Sequence, residues 1–273
     1  MTTHGDTPPR HVHRLVIRRR TRVLMSIALG LIAGVSIGAA YVYSQMLSIP
    51  AWIRKADAEA AAIDAERSTA FENAVLNECS KVRPVDPARR ADEPWRSEVW
   101  AIALDPAQVN AWIQTNGVRW ATHQRPAAEA QEAWPKGLVS VRIGTGESGT
   151  VRLGATVRDG AGGVRAFGLG VTIRIDDEGL WLNSSSVEVG DIAVSAPWAL
   201  TQADAALRRA VPEEMQSLPD VRRLVAAAKG ETPLVSRPVI RLPDGRKVRI
   251  LAIEPEGKRL IVTCRTEGRT EGK

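Results

Sequence analysis

Few residues in this chain have the type and spacing needed for bond-making chemistry. His11 and His13 stand two apart near the N-terminus, with His4 upstream. A His-x-His pair offers two ligands, where a catalytic zinc site uses three and a structural one four. His123 is alone in the rest of the chain, with no cysteine or acid cluster at ligand spacing. Gly144-Thr145-Gly146-Glu147-Ser148-Gly149 matches G-x-G-x-x-G. A dinucleotide site needs a helix after the last glycine, so that its N-terminus faces the pyrophosphate. Here Thr150-Val151-Arg152-Leu153 follows, which reads as strand, so the segment is expected to be a glycine-rich hairpin turn. No nucleophile elbow or Walker loop occurs. The sequence predicts no catalytic residue, no cofactor and no metal, and hence no enzyme.

Two other sets of residues leave alternatives open. Cys79 and Cys264 read either as separate buried thiols or as a disulfide, which an oxidising compartment would permit. Arg142, Arg152, Arg158 and Arg174 alternate with apolar residues. They read either as a solvated sheet face or as contacts to an anionic headgroup or wall polymer. On the longest of these strands Gly168 and Gly170 permit strong curvature. A curved sheet over helices can hold an apolar groove for an acyl chain, or close on a filled core of Trp112, Phe167 and Trp181.

The elements that position these residues begin with a membrane segment. Val23 to Leu47 are 25 residues without a charge, preceded by Arg18, Arg19, Arg20 and Arg22. As a helix they reach about 37 Å, enough to cross a hydrocarbon core of about 30 Å with some tilt. Residues 1–22 hold six arginines and one aspartate, a net +5 of the chain's +6. The basic character therefore belongs to the anchor and gives no nucleic-acid footprint. The positive-inside rule places the N-terminus in the cytoplasm and the C-terminal portion outside it. Tyr41, Tyr43 and Trp52 fit an aromatic belt at the outer interface. Gly38-Ala39-Ala40 resembles a signal-peptidase site, but the apolar run continues past it, so a retained anchor is expected. Ser26, Gly30, Gly34 and Gly38 recur every four residues and form one small-residue stripe. Such a stripe suits a homodimer or a partner membrane helix.

Beyond the anchor the 273-residue chain divides into a juxtamembrane helix over 48–82, a Pro-rich linker over 83–94, an exported domain over 95–266 and a tail over 267–273. The Ala-rich stretch 51–80 keeps helical spacing at Ile53, Ala56, Ala60, Ile63, Ala70, Ala74 and Val75 and is expected to lift the domain off the bilayer. From Trp95 period-2 patterns predict strands over 99–104, 139–143, 151–157, 167–175 and 180–189. Helices are expected after Asp105-Pro106, over 199–209 and over 220–228, before a three-stranded meander over 234–265. The fold class is α+β: a curved, mostly antiparallel sheet of about seven or eight strands with a few packed helices.

Three segments together resemble the YpmS-like bacterial proteins. They are Leu104-Asp105-Pro106-Ala107-Gln108-Val109-Asn110-Ala111-Trp112, then Leu180-Trp181-Leu182 leading to Val187-Glu188-Val189-Gly190-Asp191-Ile192, then Ile240-Arg241-Leu242-Pro243-Asp244-Gly245-Arg246. The resemblance spans about residues 99–265. It implies one N-terminal membrane helix, a strand followed by a short helix bearing Q-x-N, an exported α+β domain and lipid-facing work. It carries over no catalytic residue, and it makes Asn110 a structural residue whose amide closes a loop. The expected protein is a non-enzymatic envelope protein, single-pass in the cytoplasmic (inner) membrane. Its domain binds a lipid or other apolar ligand, or alternatively it is a scaffold acting through its transmembrane stripe.

Overall fold

The computed structural model describes residues 34–122, 137–147, 149–158, 162–196, 199 and 219–268. The chain divides into two compact units, Met1–Gln45 and Met46–Lys273. Residues 34–47 are helical, and the large side chains Val35, Ile37, Tyr41, Val42 and Tyr43 are all exposed. Among the described residues no helix is long and apolar enough to cross a membrane; residues 23–33 of the uncharged run lie outside them.

In the second unit nine described strands form two antiparallel sheets rather than one. The first has the order β1 (Arg96–Leu104), β9 (Arg259–Glu267), β8 (Lys247–Glu256), β7 (Val239–Arg241). The second is a meander of β2 (Leu138–Thr145), β3 (Val151–Arg158), β4 (Val164–Ile175), β5 (Leu180–Val189) and β6 (Ile192–Ser195). The mixed α+β class and the antiparallel hairpins follow from short turns between period-2 runs. The split follows from β1, which pairs with β9 and so joins the C-terminal meander.

The apolar faces of the two sheets meet. Val151, Val171, Leu180 and Leu182 of the meander pack with Leu260, with Leu104 and Ile253 beside them. Farther along, Trp100, Val248, Val262 and Cys264 pack with Cys79 and Val75 of a helix. Leu260, Val262 and Cys264 alternate along β9, so one strand face meets the second sheet at one end and a helix at the other.

The segment 51–80, expected to stand between bilayer and domain, is part of the domain. It is two helices, α1 (Ala51–Ala61) and α2 (Ala65–Ser80). The break occurs because Asp64 caps α2, its carboxylate accepting from the Arg67 amide at 2.8 Å. Ile53, Ala56 and Ala60 of α1 and Ser68 and Cys79 of α2 are buried. Small alanines let α1 lie close to its neighbours, and burying Ile53 contributes about 2 kcal/mol. α3 (Pro106–Thr122) packs on α1, α2 and β2. It starts as the sequence expects, with the Asp105 carboxylate accepting from the Ala107 amide and Pro106 in the first turn. A fourth helix, α4 (Pro219–Ala228), packs on β5. The helix expected over 199–209 lies outside the described residues, apart from Leu200's neighbour at 199.

Residues 83–94 are irregular, as a linker should be, but they are tied down. Arg83 pairs with Glu78 at 2.7 Å and stacks over Trp100 at 3.9 Å, and Asp86 pairs with Arg96 at 2.8 Å. The G-x-G-x-x-G segment is the β2–β3 turn, closed by Gly146 N–H donating to the Thr150 carbonyl at 2.7 Å.

Gly154 decides how closely α1 can approach. A Cβ there would lie 2.6 Å from the Trp52 ring and 3.0 Å from Ile53 Cδ1. Gly154→Ala should therefore cost about 2 kcal/mol by overpacking. In a domain of this size the thermal midpoint of the full chain in detergent should drop by about 4–8 °C; an unchanged midpoint would mean that α1 is not held against the sheet.

Candidate functional site

Hairpin register places residues from four strands in one row across the second sheet: Arg142, Gly154, Gly168, Glu188. Opposed residues on antiparallel strands share a face, so two charged side chains flank two glycines. The glycines leave a trough. Trp52 of α1 lies in it, over Gly154 and 3.6 Å from the Cβ position of Gly144. The Glu188 side chain folds back over Gly168, where an added Cβ would meet its carboxylate at 2.9 Å. From there Glu188 Oε2 accepts the Trp52 indole N–H at 2.6 Å. The glycines thus give α1 and Glu188 room to meet, a role beyond the curvature that sequence alone suggests.

The other end of the row holds α1 by charge. Arg142 is buried, its side chain only 5% exposed, and its Nε donates to Asp57 Oδ1. Two further acceptors, the Val141 carbonyl at 2.9 Å and Gln114 Oε1 at 3.2 Å, satisfy the remaining guanidinium edge. Beside it, buried Asn110 uses both ends of its amide on one residue of β2. It donates to the Ile143 carbonyl at 2.8 Å and accepts from the Ile143 amide at 2.7 Å. The side chain acts as a short piece of neighbouring strand for the β2 edge, so it joins α3 to the sheet instead of closing its own loop.

Next to the Trp52 seat is a cleft of about 340 Å³ lined by Pro50, Ala51, Trp52, Arg152, Glu188, Gly190, Asp191 and Ala193. Arg152 lies in the row next to Gly144 and Gly170, with its guanidinium carbon 6.0 Å from the Trp52 ring centroid. Asp191, in the β5–β6 turn, accepts from the Ser48 hydroxyl at 2.7 Å, and the Asp191 amide donates back to the same oxygen at 3.2 Å. One cation, two carboxylates and an indole converge here. The arrangement can bind a small polar group, but it offers no nucleophile–base pair for chemistry.

The four arginines that the sequence groups do not form one surface. Arg142 is interior and cannot contact an external anion; α1 supplies its partner, Asp57, from a distant part of the chain. Arg152 edges the cleft. Arg158 is exposed at the end of β3. Arg174 pairs with Asp176 at 3.1 Å and lies 5.3 Å over the Trp181 ring. The Trp181 indole N–H, with turn amides and Arg174, holds the Asp176 carboxyl below its ordinary value. Cys79 and Cys264 are free thiols in one core cluster. Burial, and the neighbouring Cys79, push the Cys264 thiol up to about 12. Gly34 and Gly38 are exposed, while Ser26, Gly30 and all four histidines lie outside the described residues. Among the described residues no group of three or more His, Cys, Asp or Glu side chains could hold a metal ion.

Sequence reasoning missed Trp52, Glu188 and Asp191. By its position after an apolar run Trp52 reads only as an interface residue, and nothing local shows that it also sits half-buried on the sheet. Glycines on adjacent predicted strands, Gly154 on one and Gly168 and Gly170 on the next, were the available signal, because hairpin register aligns Gly154 with Gly168 into a trough.

Asp57→Ala would leave the Arg142 guanidinium buried beside neutral acceptors only. The expected loss is about 3 kcal/mol, because a buried charge would lose its counter-ion. Lys55→Ala, which removes a partner of the exposed Glu59 pair, should cost under about 0.5 kcal/mol. Parallel denaturation of the two variants checks the contrast, and equal losses would contradict it.

Comparison with protein-family models, with curated proteins and with solved structures returned no match, so the function rests on the site and the sequence themselves.

Proposed function

We propose that this chain is a non-enzymatic, single-pass protein of the bacterial cytoplasmic (inner) membrane, with its N-terminus in the cytoplasm and an α+β domain outside it that binds lipid. The observation that carries the reading is the 25-residue uncharged run behind six arginines. The exposed apolar surface of helix 34–47 supports it, since Val35 and Ile37 are each 71% exposed and Tyr41 is 63% exposed. A helix apolar all round needs an apolar environment. On the facing sides of the two sheets Val151, Val171, Leu180 and Leu182 pack with Leu260, and this reading takes the lipid contact to be to headgroups.

The test is topology. A C-terminal alkaline phosphatase fusion should be active, a C-terminal green fluorescent fusion should be dark, and the chain should stay with membranes in alkaline carbonate. A fluorescent C-terminal fusion would falsify the assignment.

A second reading has its own observation. Among the described residues an added Cβ at Gly34 or Gly38 would meet nothing within 4 Å, which suits a face that takes a partner helix. In this reading the chain is a scaffold whose span recruits a second copy or another membrane protein. Gly34→Ile should then abolish crosslinked dimers or partner co-purification without changing the melting of the domain; unchanged association removes the reading.

A further inference from the structure

We propose that the cleft beside Trp52 is a binding site for a zwitterionic phospholipid headgroup with a primary ammonium, its phosphate held by Arg152 and its ammonium by Glu188 and Asp191. The inference rests on the membrane-anchored reading above and adds to it a site and a class of lipid.

The charges select the ligand. Arg152 makes no ion pair among the described residues; its described contact is the Trp52 ring at 6.0 Å. Five donors in a planar fork therefore remain for a phosphodiester, which a guanidinium can bind in two-pronged fashion. The two carboxylates each have one oxygen in a described bond: Glu188 Oε2 to Trp52 and Asp191 Oδ2 to Ser48. Their second oxygens remain as acceptors for an ammonium, which brings three N–H donors. A purely anionic headgroup would meet two carboxylates, and a purely cationic ligand would meet Arg152. A ligand carrying both charges satisfies all three groups. A quaternary ammonium has no N–H to give, so the carboxylates favour the primary amine.

The chain keeps the start of the cleft close to the end of the uncharged run, within reach of a headgroup layer. Its lining begins at Pro50, three residues after the uncharged run ends at Leu47. Three residues reach at most about 10 Å. The polar layer on each side of a bilayer is about 5–8 Å thick. Ser48, one residue after the run, is already bonded to Asp191 in the cleft wall. The lining is also built rather than incidental: Glu188 is oriented by Gly168 and Trp52, and Trp52 by Gly154 and Gly144.

The experiment uses the full chain in detergent with an equimolar mixture of phosphatidylethanolamine, phosphatidylglycerol and phosphatidylcholine of identical acyl chains, read by native mass spectrometry. Wild type should retain phosphatidylethanolamine about tenfold over each of the others, the size of one charged hydrogen bond. Arg152→Gln should lower retention of phosphatidylethanolamine about tenfold with an unchanged melting temperature, because Arg152 is outside the core clusters. Glu188→Gln keeps an acceptor for Trp52 and should reduce the preference over phosphatidylcholine. Equal retention of all three lipids by wild type, or full retention by Arg152→Gln, overturns the cleft while leaving lipid binding in place. Retention of acyl-free glycerophosphoethanolamine as strongly as the lipid overturns the membrane source. Absence of every lipid overturns both this site and the lipid-binding function.

Discussion

The seating of Trp52 over Gly154 is the contact on which the domain's layout depends. It fixes the distance between α1 and the second sheet, because a Cβ at Gly154 would occupy the space of the ring. It also fixes direction, since the indole N–H is aimed at Glu188. With Trp52 and Ile53 on the sheet, the helical repeat turns Ala56, Asp57 and Ala60 to the same side, where Ala56 and Ala60 are buried and Asp57 meets Arg142. One indole in a glycine trough therefore determines which residues of α1 face inward. α3 then packs against α1 and the β2 edge, and α2 against α3.

The polar groups in this interface set register more than they add stability. The Arg142–Asp57 pair must overcome the cost of desolvating a guanidinium, and an apolar pair of the same shape could be as stable. What it adds is specificity: sliding α1 by one residue would leave Arg142 buried without its anion. Asn110 has the same effect on α3. Its amide matches both polar groups of Ile143, and a shift of α3 along β2 would leave two buried donors and acceptors unpaired. Glu188 closes the third side. The helices are thus located on the sheet by three polar contacts whose partners lie far apart in the sequence.

Much of the sheet was legible because it is local. Period-2 alternation and glycine-marked turns predicted the β2–β5 hairpins, and Asp105-Pro106 predicted the start of α3. What depended on distant pairing was not legible. Nothing near Val99 to Leu104 indicates that the strand adds to β9 instead of the meander that follows it. Arg142 and Arg152 share one alternating pattern, yet the first is interior and the second half-exposed, because α1 brings Asp57 to only one of them. The Ala-rich segment 51–80 reads as a solvated spacer because alanine is a weak core signal. On a glycine-lined sheet alanine is the residue that allows close approach, and the segment becomes the domain's first layer.

That layer changes what the anchor can do. A spacer helix of the expected kind would hold the sheets away from the bilayer and leave their orientation free. Instead the second unit is already tied to the β5–β6 turn at Ser48, with Pro50 buried and Trp52 and Ile53 packed over Gly154, soon after the uncharged run. If that run is embedded as proposed, only a few backbone bonds separate it from the cleft that Arg152, Glu188 and Asp191 line. The same indole that fixes the helix on the sheet also forms one wall of that cleft. Fold stability and lipid contact would depend on one side chain, which is why a variant at Arg152, outside the three polar contacts that locate the helices, can separate the two.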